Sequence, residues 1–178
     1  MREETINVYR YDELSEEVKE RVLERMSDVN VDYKWWEFVF EDAETIGLKL
    51  EAFDLGSTYR GAYCDGTWID DAEEAAEKIL QEHGEECETY KDALDFQAEL
   101  KQAMLIYERH EDYDPESMEF EDSAEYEDMC EEFLRTLLED YRIILEKEYE
   151  YLTSEEAIVD TIEANEYEFT KDGEIWRC

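Results

Sequence analysis

The sequence predicts a helix-rich α+β fold, a single domain over residues 1–178 with one small antiparallel sheet. Three observations predict it. Apolar residues recur at helical spacing over most of the chain, and short alternating stretches stand at both ends and in the middle. One proline and no Gly/Ser-rich run leave no linker at which to divide the chain. With 178 residues, 43% hydrophobic and 13% aromatic, the chain has enough apolar material for a core.

The elements follow in order. Residues 4–11 alternate, with Ile6 and Val8 on one side and Thr5, Asn7 and Tyr9 on the other, as in a strand. Ser15 is placed to cap a helix, acids Glu16 and Glu17 suit its positive end, and Val18, Val22 and Met26 recur every four residues. A second helix is expected from near Asp32, carrying Trp35, Trp36, Phe38, Val39, Phe40, Ala43 and Ile46 to Gly47; it is the most apolar segment. Alternation over 48–53 and a run over 58–64, joined at Gly56-Ser57, read as a hairpin. Asp70 or Asp71 caps a helix ending at His83 with Gly84 as its C′ residue.

A longer helix spans about 88–109, with Ala93, Phe96, Leu100, Ala103, Met104 and Tyr107 on one face. After Asp114-Pro115 a helix over about 121–151 is expected to bury Tyr126, Met129, Cys130, Phe133, Leu137, Tyr141, Ile144 and Leu145. Thr153 and Glu156 form a capping box for a last helix to about Asn165. Residues 167–177 close as a hairpin about Asp172-Gly173. The sheet is expected to join both termini to the central hairpin.

Charge is the dominant functional signal. The chain carries 55 Asp and Glu against 17 Lys and Arg, a formal net charge of −38. That excludes direct binding to DNA, RNA or anionic membrane, all of which require a basic footprint. Halophily is set aside, because 38 Glu outnumber 17 Asp and 24 aromatic residues are kept. Residues 1–20 contain no secretory apolar run, no stretch approaches 18 apolar residues, and four cysteines are widely spaced; reducing cytosol is the expected compartment.

Patterns that carry chemistry are missing. His83 and Cys87 stand four apart across Gly84, with no second pair to complete a zinc site. His110-Glu111-Asp112 lacks the second histidine of a zincin. Asp112, Asp114 and Glu116 imitate the first ligands of an EF-hand, but Ser117 and Ser123 stand where Gly and Glu are needed. No nucleophile elbow, Walker loop or dinucleotide fingerprint occurs. A field of this sign raises thiol pKa values, so Cys64, Cys87, Cys130 and Cys178 are expected to pack and not to react. No catalytic residue, metal ligand or cofactor is assigned, and the chain is expected not to be an enzyme.

Within the global acidity one arc stands out: residues 108–132 hold 13 acids and one arginine. Such a run is ordinarily a solvated face. Its spacing argues for more. Glu121, Glu125, Asp128 and Glu132 follow steps of four, three and four on the long helix, a row of like charges. The same row continues as Arg135, Glu139, Arg142 and Glu146, with alternating sign. Compensation was available to this helix and was not used in its first half. Residues 121–150 hold 12 acids and 3 bases, one net charge per roughly 5 Å of helix, against about 3.4 Å per phosphate along one DNA strand. The candidate partner-binding residues are Glu108, Glu111, Asp112, Asp114, Glu116 and Glu119, continuing through Glu121, Asp122, Glu125, Asp128 and Glu132.

In size, charge and tyrosine content the chain resembles the folded acidic DNA mimics with which phages and plasmids block restriction enzymes and CRISPR effectors. The stretch 9–19, the pair Trp35-Trp36 and the stretch 146–173 are similar to a family of uncharacterised acidic proteins common on phage genomes. The likeness covers about half the chain, in pieces, and brings no catalytic residues. It implies an inhibitor in the host cytoplasm that occupies a basic nucleic-acid-binding protein by mimicry, without binding nucleic acid or membrane itself; a homodimer is compatible with it. The alternative is an antitoxin-like or regulatory module that neutralises a basic protein without imitating DNA. A small metal-assisted enzyme using clustered carboxylates ranks third, because no metal-ligand spacing in the sequence is complete.

Overall fold

The structure, a computed structural model, describes residues 7–56, 61–110 and 119–176. Among these it has six helices and one two-stranded antiparallel sheet, the helix-rich α+β class the sequence predicts. The helices are α1 (Glu16–Arg25), α2 (Glu37–Thr45), α3 (Ala72–Glu82), α4 (Glu88–Tyr107), α5 (Ala124–Leu152) and α6 (Glu155–Ala164), and the strands are β1 (Leu48–Leu55) and β2 (Ala62–Trp68). Contacts gather into two units: residues 1–35 with 147–178, and residues 36–146.

In the first unit, α1 packs on α6 about a core of Leu14, Val18, Val22, Met26, Ile158, Ile162 and Phe169. The four-residue spacing of Val18, Val22 and Met26 supplies the buried stripe of α1. Asn30, buried, ties this unit by side chain: its Nδ2 donates to Leu152 O at 3.0 Å, and its Oδ1 accepts from Thr161 Oγ1 at 2.7 Å. The C-terminal turn closes on Gly173, whose φ of +80° suits glycine and whose α-carbon faces Val18 and Val22. Arg25 Nη1 caps it, donating to Gly173 O at 3.1 Å and pairing with Glu174 at 3.0 Å.

In the second unit, β1 and β2 pair with Leu48 opposite Trp68 and Leu55 opposite Ala62, with a register shift between Leu50 and Ala52. Gly66 makes this pairing tight, since a β-carbon there would lie 2.6 Å from Lys49 O. Val39, Ala43 and Ile46 of the α2 region, Ala75, Ala76 and Ile79 of α3, Ala93 and Phe96 of α4, and Phe133, Leu137, Tyr141 and Leu145 of α5 are buried. Phe96 stacks on Phe133 at 4.3 Å, and Trp68 meets Phe133 at 5.7 Å.

Several expectations are corrected. Among the described residues the sheet does not recruit the termini: Tyr9 and Ile175 each make only a single bridge to Phe169. The run expected as a first strand turns into a 3-10 turn at Tyr11–Glu13, where Glu13 Oε2 accepts the Arg10 N–H at 2.8 Å; residues 4–6 lie outside the described residues. α2 begins at Glu37, five residues later than expected, because Asp28, Asn30 and Asp32 favour turns before it. The second hairpin strand begins at Ala62, and residues 57–60 are not described.

Cap positions also shift. Ser15 stands at the N-cap of α1 without a side-chain hydrogen bond. Gly84 is not left-handed; His83 leaves α3 in an extended conformation while its ring bonds Thr89. The cap of α6 is Ser154, whose Oγ accepts the Ala157 N–H at 3.2 Å, because the Thr153 hydroxyl is turned back to Tyr149 O at 2.8 Å. Asp71 does cap α3, accepting from Glu74 N at 2.8 Å. Tyr126, Met129, Cys130 and Ile144 are half-buried, and Phe38 and Met104 are exposed.

Candidate partner-binding surface

The acidic arc is carried by the end of α4, a 3-10 turn at Phe120–Asp122 and the first half of α5. Phe120 anchors the turn: it is buried between the rings of Tyr107 and Tyr126, at 5.3 and 5.9 Å. Ser123 then starts α5, its Oγ accepting the Tyr126 N–H at 3.1 Å. Burial of Phe120 thus turns its neighbours Glu119, Glu121 and Asp122 outward, and all three are exposed.

Glu108 caps the C-terminal end of α4 and is exposed, as are Glu125, Asp128 and Glu132 on α5. None of these seven acids forms an ion pair among the described residues. Glu111, Asp112, Asp114 and Glu116 lie outside the described residues. Glu121 belongs to the 3-10 turn and not to the long helix, so the regular helical row begins at Glu125. From Glu125 to Glu132 it rises about 10 Å along the axis at 1.5 Å per residue.

The second half of the same face is arranged differently. Arg142 binds Glu139 through Nε and Nη2 at 2.8 and 2.7 Å, and Glu146 through Nη1 at 2.9 Å. Those hydrogen bonds hold the Glu139 carboxyl below its ordinary pKa and raise that of Arg142. Arg135 makes no ion pair among the described residues, so the ladder is complete only from Glu139 to Glu146. One face of α5 therefore passes from unpaired acid at Glu125 to paired acid and base at Glu146 within about six turns.

A part-buried polar network that the sequence reading missed joins α5 to α2 and α3. Tyr141, fully buried, donates to Asp42 Oδ2 at 2.8 Å, and the same oxygen lies 3.9 Å from His83 Nε2. His83 Nδ1 and Thr89 Oγ1 are 2.7 Å apart, and that hydroxyl donates to Cys87 Sγ at 3.3 Å. The His83 ring therefore contacts Thr89, whose hydroxyl also reaches Cys87. Asp140 on α5 stands beside Asp92 on α4; burial first, then the interaction with Asp92 and the charges of Asp92, Glu88 and Glu139, push its carboxyl up to about 7. Asp140 Oδ2 is buried without a hydrogen-bond partner among the described residues, and protonation of this carboxyl removes the cost of burying its charge. Only the tyrosine at a core position of α5 gave a sequence-level hint of this network.

Among the described residues no group of three or more His, Cys, Asp or Glu is placed to hold a metal ion, and no helix is long and apolar enough to cross a membrane. The thiols differ from one another. Cys64 is buried and pushed up to about 11 by that burial and by Asp65, whereas Cys87 is exposed and so is no packing residue. Burial also raises the half-buried Cys130, against a hydrogen bond with Tyr126 that lowers it. Compared with known proteins, the chain matches no family model, no curated protein sequence and no solved structure.

Proposed function

We propose that the chain is a phage-type inhibitor that occupies the nucleic-acid groove of a basic host defence protein, such as a restriction or CRISPR effector, in the cytoplasm of the host. The observation that carries this reading is the contrast along α5. Glu125, Asp128 and Glu132 stand exposed and unpaired, while Glu139, Arg142 and Glu146 close an ion-pair ladder on the same helix.

Like charges at helical spacing lower helix stability by about 0.2–0.5 kcal/mol per pair. A folded chain that keeps them next to a paired segment gains nothing in stability from them. A basic groove that normally releases counterions to DNA phosphates would release them equally to this row. The helical scaffold holds the carboxylates in place before contact, which limits the ordering entropy lost on binding.

The experiment is competition in a gel-shift assay between the chain and duplex DNA for a DNA-binding defence nuclease. The expected result is displacement of DNA without binding of DNA by the chain, with inhibition weakening steeply between about 50 and 200 mM salt. Inhibition insensitive to salt over that range removes the electrostatic premise.

A further inference from the structure

The arc borders a feature that a phosphate mimic does not need. Between α3, α4 and the 3-10 turn at Phe120–Asp122 lies an open groove of about 260 Å³. Its apolar lining is Leu100, Met104, Phe120 and Tyr126, and its rim carries Glu73, Glu77 and Glu121. Tyr126 is fixed there, donating to Glu73 Oε1 at 3.0 Å. Among the described lining residues Lys101 is the one base, facing three carboxylates.

Beyond the groove the face of α4 mixes apolar and polar side chains. Leu94, Gln97, Lys101 and Met104 follow steps of three, four and three, one stripe of the helix, and Leu94 and Met104 are 46% and 38% exposed. Met104 continues the groove's apolar floor of Leu100, Phe120 and Tyr126 to the surface, beside the carboxylates of the rim.

We infer that this groove receives a basic amphipathic segment of the target, one large apolar side chain seated on Met104, Phe120 and Tyr126 with flanking Lys or Arg heads on Glu73, Glu77 and Glu121. The inference rests on the reading of the partner as a basic protein and gives that partner a shape. Charge selects the occupant: a second copy of this chain would bring its own net charge of −38 against the three carboxylates. Long basic side chains fit the site in both parts, with aliphatic stems on the apolar floor and cationic heads at the rim. The contact adds to the electrostatic row a component that salt does not screen.

The test uses the full chain and two synthetic fourteen-residue peptides of equal positive charge, one with leucines at helical spacing between its lysines and arginines, the other with serine in place of leucine. Affinities are measured by fluorescence anisotropy at 50 and 200 mM salt. Burial of one leucine side chain predicts roughly tenfold or greater preference for the leucine peptide at 200 mM salt. Met104→Gln, at an exposed position, should remove most of that preference while leaving the serine peptide's affinity and the circular-dichroism melting curve unchanged. The methyl resonance of Met104 should shift with the leucine peptide only.

Equal affinity of the two peptides for the parent chain, or a preference that survives Met104→Gln, overturns the groove assignment. If both peptides still bind with steep salt dependence, the reading of a basic partner stands without it. If neither peptide binds at 50 mM salt, both fall.

Discussion

Replacing Asp140 with Asn should stabilise the protein, and more so as pH rises. Asp140 and Asp92 face each other from α5 and α4, and the Asp140 carboxyl is raised from 3.8 to about 7, first by burial and then by its interaction with Asp92. The folded protein thus holds a proton that the unfolded chain releases near pH 4. The stability linked to this proton is complete below the unfolded pKa, declines as pH rises through the folded pKa, and is gone above about 7. At 1.36 kcal/mol per pKa unit the full displacement corresponds to about 4 kcal/mol. Partial exposure of the pair and screening reduce this to about 2 kcal/mol.

In the Asp140→Asn variant the side-chain amide would donate to Asp92 without needing a proton, so the variant should show none of this decline. Between pH 5 and pH 8 the gap between variant and parent should widen by about 1 kcal/mol, or about 3 °C in Tm for a chain of this size. Urea denaturation of both proteins at the two pH values measures it. A gap that is the same at pH 5 and pH 8 would refute the raised carboxyl of Asp140.

Three further outcomes follow from local geometry. Gly173→Ala should cost about 1–3 kcal/mol, because φ is +80° and the new β-carbon would lie 3.0 Å from both Val18 Cγ1 and Val22 Cγ2; thermal unfolding reads it. Tyr141→Phe should cost about 1–2 kcal/mol by removing the bond to Asp42 at 2.8 Å from a fully buried ring, measured by urea denaturation. Thiol labelling at pH 8, followed by mass spectrometry, should modify Cys87 first and Cys64 slowest of the described cysteines, since one is exposed and the other is buried with its thiol pushed up to about 11.

Helices were legible because their apolar spacing repeats over several turns, as with Val18 and Val22 in α1 or Phe133, Leu137, Tyr141 and Leu145 in α5. The reach of the sheet was not. Alternation near Ile6 and Val8 and again near Phe169 suggests strands, but pairing depends on distant partners, and at Phe169 it amounts to two isolated bridges. Caps missed by one residue where two hydroxyls compete, as Thr153 and Ser154 do. The arc could be named in sequence because charge needs no tertiary information. The groove beside it and the Asp42, His83 and Tyr141 network could not, since each joins side chains from separate helices or turns.

The central claim is that the acidic row on α5 serves a partner and not the fold, and one comparison tests it most directly. Asp128→Gln with Glu132→Gln relieves the like-charge steps Glu125–Asp128 and Asp128–Glu132, and leaves Glu125 in the first turn where the helix dipole favours it. Stability should rise by about 0.4–1 kcal/mol. Inhibition of DNA binding by the target should weaken, and its logarithmic salt slope should fall by up to about two. The matched control, Glu139→Gln with Glu146→Gln, removes the partners of Arg142 and should lose about 0.5–1 kcal/mol while inhibiting nearly as well as the parent. If the Asp128/Glu132 variant is more stable and inhibits as well as the parent, the row is a solvated face and the claim is wrong.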